Sequence, residues 1–215
     1  MRVAGRRCAA PCSSFVDGRR QGRPALEAER RLGGSAPCKP RLYKTCVRDP
    51  RVDRLAELLV GYSLELRAGE IVCIDADTCA APIVLAFYRE ALAAGAFPYT
   101  SVAIPDLDEL LLEHGSNDQL EYISPMRWNE IESMDAMLTI WADENTRALN
   151  GVDPERHGLF IAANRKIAER RWKRIAAGEM RWCGVLYPTQ AHAQDADMSL
   201  EDYEEFVFRA CAWVG

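Results

Sequence analysis

The chain has 215 residues, of which 48% are apolar and 27% charged, and these are ordinary values for a globular protein with a core. No apolar run approaches the roughly 18 residues that a membrane-spanning helix requires, so the sequence predicts no such helix. The formal net charge is −5, but two parts of the chain carry charge of opposite sign. Residues 1–46 carry 11 Lys and Arg against 3 Asp and Glu, whereas the rest of the chain carries 16 against 29.

Residues 1–46 are rich in Arg, Gly, Ala and Pro and show no helix or strand periodicity, so we predict a disordered basic extension. A misplaced start codon would explain it. Three alternatives stay open: an organellar transit peptide, a nucleic-acid-binding arm, and a zinc site at Cys8, Cys12, Cys38 and Cys46. The arm lacks interleaved aromatic residues, and the cysteines lack compact spacing and a nearby His. The absence of a secretory signal predicts a reducing, cytoplasmic compartment.

The rest of the chain alternates helix and strand signals. Asp49 and Pro50 are a typical N-cap and first helical residue, and we predict a helix from there to about Leu66. The following elements are then predicted in chain order: a strand at 71–74, a helix at 81–94, a strand at 97–104, two short helices over 106–133 separated by Pro125, a strand at 136–141, a helix from Pro154 to about Ala177, a strand at 182–187, and a last helix opened by a capping box at Ser199 and Asp202.

Strands that are separated by helices of ten or more residues pair in parallel through crossover connections. Residues 47–215 are therefore predicted to form one α/β domain, an open, mostly parallel sheet with helices on both faces. Such sheets bind ligands beyond the carboxyl ends of their strands. Those ends are predicted at about 75–77, 105–106, 142–147 and 188–194.

The end of the first predicted strand lacks the glycines of a phosphate-binding loop. We interpret Asp77 or Thr78 there as a helix N-cap rather than a cation ligand. Cys79 precedes a helix N-terminus, a position that lowers a thiol pKa, but no histidine is assigned to it as a partner. We therefore do not favour Cys79 as a thiol nucleophile.

Three histidines are candidates for metal binding or catalysis. His114 lies near a helix C-terminus, and His157 lies in the first turns of a long helix. His192, followed by Asp195 and Asp197, is compatible with a metal site, but we favour a solvated loop for this segment. From these residues alone, the sequence predicts a globular α/β domain with no recognisable catalytic or metal-binding set.

Two segments, residues 142–156 and 186–206, resemble nearly word for word the N-terminal domain of the thermophilic-type metallo-aminopeptidases, the family that includes aminopeptidase T. Residues 49–63 also resemble the start of that domain. The similarity covers about residues 48–211, with the segments in the same order.

The resemblance implies a cytoplasmic, homodimeric exopeptidase that removes N-terminal residues from peptides with two divalent metals, Zn, Co or Mg. In such sites a metal-bound water is the nucleophile. The family's metal ligands lie in a second, C-terminal domain that we expect to be absent from this chain. The resemblance therefore assigns no catalytic residue, no metal ligand and no cofactor to this sequence, and neither nucleic acid nor a membrane as a partner.

The loops that match the family are candidates for the wall of a substrate cleft. Six residues are candidates for lining a cleft or contacting another domain: Glu144, Asn145 and Arg147 after the third strand, and Thr189, Gln190 and Gln194 after the fourth. For Asn145 and Arg147 we favour a role in holding the loop geometry.

Three hypotheses follow. The first is the N-terminal domain of a metallo-aminopeptidase, inactive alone and acting on peptides only with the missing domain. The second is a non-catalytic dimerisation or partner-binding module. The third is a domain that binds a small molecule at the strand ends.

Overall fold

The centre of the fold is a parallel sheet, seen in a computed structural model that describes residues 49–211. Its strands are Ile71–Asp77 (β1), Phe97–Ala103 (β2), Ala136–Trp141 (β3) and Arg181–Leu186 (β4). They lie in the order β2-β1-β3-β4, and all three pairings are parallel. The predicted α/β fold with a parallel sheet is confirmed.

Helices connect these strands. Within residues 49–211 the α-helices are Pro50–Leu58 (α1), Ala81–Ala93 (α2), Leu107–His114 (α3), Asn117–Glu121 (α4), Pro125–Ser133 (α5), Pro154–Ala176 (α6), Gln190–Asp195 (α7) and Leu200–Cys211 (α8). A π-helical turn, Leu59–Ser63, continues α1, and 3₁₀ turns cover Thr78–Ala80 and Ala148–Gly151.

Two helices begin with the Asp-Pro pair that the sequence predicted. The Asp49 Oδ1 accepts a hydrogen bond from the Arg51 amide at 2.8 Å, and the Asp153 Oδ1 accepts one from the Glu155 amide at 2.9 Å. In both cases proline occupies the first helical position, where no amide hydrogen is needed.

The sheet buries both of its faces. Alternate residues of β1 contribute to two cores: Val72, Ile74 and Ala76 belong to a core shared with α1, α2 and α8, and Cys73 belongs to a smaller one shared with α5 and α6. This alternation is the expected consequence of the two-residue period of a strand. It confirms the prediction of helices on both faces.

Some element bounds differ from the predictions. The first α-helix ends at Leu58 and is followed by the π-helical turn, so regular helix stops short of Leu66. The segment 106–133 contains three helices rather than two. A capping box causes the additional break: the Ser116 Oγ accepts from the Gln119 amide at 3.3 Å, and the Gln119 Oε1 accepts from the Ser116 amide at 2.7 Å.

The predicted capping box before α8 is only half formed. The Ser199 Oγ accepts from the Asp202 amide at 3.1 Å, as predicted. The Asp202 carboxylate, however, accepts from the Ser199 hydroxyl at 2.6 Å instead of from a backbone amide. Aspartate is one methylene shorter than the glutamate that normally completes this motif.

None of the helices within residues 49–211 has the length and apolar character needed to cross a membrane. The predictions made for residues 1–46, a disordered basic extension with a zinc site, a transit peptide or a nucleic-acid-binding arm as alternatives, lie outside the described residues.

Candidate functional site

A crevice lies between the carboxyl ends of β1 and β3, where the strand order reverses. Open α/β sheets bind ligands at such a switch point. The Asp77 Oδ2, at the end of β1, accepts a hydrogen bond from the amide of Ala142, the residue after β3, at 3.3 Å. Asp77 stands at the N-cap position of the 3₁₀ turn Thr78–Ala80, as predicted, but neither Asp77 nor Thr78 makes a side-chain capping bond to the turn or helix that follows. Asp77 instead ties the two strand ends together.

The crevice is electrostatically negative. Burial raises the pKa of Asp77, and the nearby Asp143 raises it further. The pKa of Cys79 is raised by burial first and then by Glu144, Asp77 and Asp143, and its Sγ donates to the Ala142 carbonyl. The predicted lowering of this thiol pKa is therefore wrong. Burial, with the carboxylates adding to it, outweighs the effect of the short 3₁₀ turn that Cys79 occupies.

His192 lies in α7 and not in the solvated loop that the sequence predicted. Its side chain is only 12% exposed, and its Nε2 lies 3.1 Å from the Asp143 Oδ2. Its Nδ1 is buried without a hydrogen-bond partner. The His192-Asp195-Asp197 metal site is not formed, because Asp195 binds Thr146 and Arg147 instead.

Four contacts join α7 and its N-cap to the β3 loop, which we define as residues 142–147. The Thr189 Oγ1 donates to the Asp143 carbonyl at 2.7 Å, and the His192 ring contacts the Asp143 carboxylate. The Asp195 carboxylate accepts from the Thr146 hydroxyl at 2.6 Å and from the Arg147 guanidinium at 3.2 Å. These bonds fix the β3 loop against α7.

The six residues predicted from the loops have different environments. Thr189 is buried and caps α7, since its Oγ1 also accepts from the His192 amide at 3.3 Å. The Asn145 Oδ1 accepts from the Arg147 amide at 3.0 Å, which holds the turn of the β3 loop. Glu144 and Asn145 line a cavity, Arg147 pairs with Asp195, and Gln190 and Gln194 are exposed on α7.

That cavity measures about 510 Å³ and opens beyond the strand ends. Six carboxylates line it: Asp77, Asp106, Asp108, Glu109, Asp143 and Glu144. Apolar residues from the end of β2 and from α3, among them Val102, Ile104 and Leu107, form the other wall. This apolar wall was not predicted from the sequence, although a strand end was predicted at residues 105–106. Only the strand order places that end beside the β3 loop.

Comparison with known proteins identifies the family. The family model of the thermophilic metalloproteases (M29) matches residues 48–214, which is more than three-quarters of the chain. The chain belongs to the M29 family. This confirms the resemblance that the loop segments carry. Among curated protein sequences, none matches this chain significantly.

The fold of this M29 chain is shared with a solved structure, wild-type AmpT from Thermus thermophilus. The TM-score is 0.65 at 20% sequence identity, and the match covers 76% of this chain and 43% of AmpT. The chain therefore spans less than half the length of that protein. An alcohol dehydrogenase superfamily protein from Novosphingobium aromaticivorans also matches, at 14% identity over 75% of this chain and 48% of that one, but its TM-score of 0.27 supports no argument.

The M29 family implies a bound metal, which requires side-chain ligands that converge on one position. Residues 49–211 contain no group of three or more His, Cys, Asp or Glu placed to bind a metal ion. At the crevice, the His192 Nε2 is occupied by Asp143, and the Asp77 carboxylate binds a backbone amide. A two-metal site needs several such donors converging on shared positions. The described residues do not fit it.

Proposed function

We propose that residues 48–214 are the N-terminal domain of a metallo-aminopeptidase, an enzyme that removes N-terminal residues from peptides by hydrolysis. In this proposal the domain binds no metal and is inactive alone. One observation carries it: the M29 match spans 48–214, yet residues 49–211 offer no donor set for a metal pair. Since the chain spans 43% of AmpT, we assign the metal ligands to another part of a longer polypeptide.

The cavity at the strand ends suggests what the domain contributes. Glu144 and Asn145 line it, and the contact between Arg147 and Asp195 holds the β3 loop beside it. We assign this loop, with Thr189, Gln190 and Gln194 of the α7 segment, to the wall of a peptide cleft or to the contact with the catalytic domain. The bonds of Asn145 and Arg147 support a role in shaping the loop.

The proposal includes a cytoplasmic location and a homodimer for the full-length form. Within residues 49–211, Cys73, Cys79, Cys183 and Cys211 are all free thiols. Free cysteines that pack as small apolar side chains are typical of proteins in reducing compartments.

Hydrolysis of aminoacyl chromogenic substrates tests this proposal. The full chain is incubated with leucyl and other aminoacyl substrates and with added Co²⁺, Zn²⁺ or Mg²⁺, beside a full-length M29 enzyme as the positive control. We expect no metal-dependent turnover by this chain. Turnover that a chelator abolishes would contradict the proposal, and His192→Ala would then be the first variant to measure.

A further inference from the structure

Helix α6 has a charge opposite to that of the domain around it. It carries seven Arg and Lys against two Glu, while the part of the chain after residue 46 is acidic. Three of its cations, Arg165, Lys166 and Lys173, are exposed and form no ion pair within residues 49–211. Unpaired charges of one sign on one helix are available to an external partner of opposite charge.

Two exposed apolar side chains lie on α6 beside these cations. Ile161 and Trp172 are each 48% exposed, and their spacing from Arg165 places all three on one stripe of the helix. The Trp172 ring packs edge-on against Trp182 of β4 at 5.3 Å between centroids. Because this contact already restricts the Trp172 ring, the side chain loses little conformational entropy on binding. We call Ile161, Arg165, Lys166, Trp172 and Lys173 the α6 face.

An acidic groove runs along α8. It measures about 770 Å³, and its lining includes Asp197, Met198, Asp202, Glu205, Phe206 and Arg209. The Phe206 ring is 61% exposed and stacks on Tyr203. Glu205 pairs with two cations, Arg209 of the same helix at 3.9 Å and Arg51 of α1 at 3.6 Å. Asp197 and Asp202 also line the groove, so its carboxylates still outnumber these cations and it keeps a net negative charge. We call these six lining residues the α8 groove.

The two surfaces cannot meet within one molecule, because α6 and α8 pack on opposite faces of the sheet. Ile167 of α6 belongs to the smaller core and Phe208 of α8 to the larger one. A contact between two α6 faces would bring cations together, and a contact between two α8 grooves would bring carboxylates together. Only a contact of unlike surfaces pairs the charges.

We propose that copies of this chain associate head to tail, with the α6 face of one copy docked in the α8 groove of the next. The cations of the α6 face lie against the acids of the groove, and Trp172 fills its apolar part. Such a heterologous contact leaves one surface of each kind free at the ends, so it builds rings or longer assemblies. This contact is proposed for the 215-residue chain. It is separate from the homodimer proposed for the full-length form, and it does not depend on the hydrolytic function of the longer polypeptide.

Sedimentation velocity of the full chain tests the association. We expect assemblies larger than a monomer that grow with protein concentration, and that weaken about tenfold or more between 50 and 500 mM NaCl because salt screens the charge pairs. A monomer at all concentrations in low salt would overturn the proposal, and the two surfaces would then be left for other partners.

Two variants test which surfaces meet. The face variant carries Lys166→Glu and Lys173→Glu, and the groove variant carries Glu205→Arg and Phe206→Ala; all four positions are outside the strands. Each variant alone should remain monomeric. A mixture should form 1:1 dimers and nothing larger, since each variant supplies the surface that the other lacks.

Matched controls reverse exposed charges elsewhere. Arg54→Glu on α1 and Glu121→Arg on α4 lie outside both surfaces and form no ion pair in the described part of the chain. They should assemble like the wild type. The head-to-tail contact is wrong if the face and groove variants, folded by circular dichroism, assemble as the wild type does. It is also wrong if their mixture remains monomeric.

Discussion

The ionised Asp77 carboxylate lowers the stability of the fold. Burial and Asp143 raise its pKa, so its ionised form is less favourable in the folded chain than in the unfolded chain. Asp77→Asn keeps an oxygen that can accept from the Ala142 amide and removes the charge. We expect a free energy of unfolding about 0.5 kcal/mol higher at pH 7, a small value because much of the site is reached by solvent. The gain should vanish below pH 3.8, where the carboxyl is protonated in both states. Urea denaturation at both pH values measures it.

Asp195 should behave in the opposite sense. Its bond with Thr146, with a contribution from Arg147, lowers its pKa, so ionisation of this carboxyl stabilises the fold above its unfolded-state pKa. Asp195→Asn should therefore destabilise the chain at pH 7, and the difference should be lost as the pH falls through the lowered pKa. Equal pH profiles for the Asp77 and Asp195 variants would contradict the assignment of both environments.

Gly184 leaves space for a tryptophan ring. A Cβ at this position would lie 2.5 Å from the Trp141 Cη2 and 2.7 Å from its Cζ3. We expect Gly184→Ala to force the ring outward and to lower the free energy of unfolding by about 1–3 kcal/mol. Urea denaturation followed by tryptophan fluorescence reports both effects. Gly158→Ala in α6 is the control: a Cβ there meets nothing within 4 Å, and we expect a gain of about 0.5–1 kcal/mol.

Thr189 makes two of the bonds that hold helix α7 in place. Thr189 is buried, its hydroxyl donates to the Asp143 carbonyl, and the same oxygen accepts from the His192 amide. Thr189→Val removes both bonds at similar volume, and we expect a loss of about 1–2 kcal/mol with faster amide hydrogen exchange in α7 and the β3 loop. Thr189→Ser keeps the hydroxyl and should retain most of the protection. Unchanged exchange in the Val variant would show that the other contacts suffice.

The elements differ in how well the sequence predicts them. The strands and α6 were predicted because apolar runs, N-caps and prolines all indicate the same bounds. Helix α7 was missed because its six residues bury only Ala193, too few to produce a periodic signal. Helix α4 was missed although Ser116 and Gln119 have the spacing of a capping box, a signal that is readable in the sequence.

At the scale of the whole molecule, the sequence predicts the fold class but not the strand order. Helices of ten or more residues between strands require parallel pairing, whichever neighbour each strand takes. The order β2-β1-β3-β4 decides which ends meet, and so it brings residues 102–109 beside the β3 loop. The contact of His192 with Asp143 joins residues 49 positions apart and follows from the same order. No local pattern encodes either arrangement.

The lack of a metal donor set leads to a prediction about the whole chain that needs no activity assay. A ligand that binds only the folded state raises the melting temperature in proportion to RT ln(1 + [L]/Kd). Residues 49–211 contain no cluster of three metal-donor side chains. We therefore expect neither EDTA nor Zn²⁺, Co²⁺ or Mg²⁺ at about 100 μM, roughly 100-fold above the Kd of a tight metal site, to shift the thermal midpoint by more than about 1 °C.

A control variant replaces Cys8, Cys12, Cys38 and Cys46 by serine, which removes any metal binding by the cysteines that precede residue 49. Differential scanning fluorimetry compares this variant with the wild type. A shift that only the wild type shows belongs to those four cysteines. A shift of about 4 °C or more that survives in the variant would contradict the metal-free domain. At this chain length such a shift corresponds to about 1–2 kcal/mol of folding free energy, and it would require metal ligands among the remaining residues. The hydrolytic domain would then not be needed to supply all of the metal ligands.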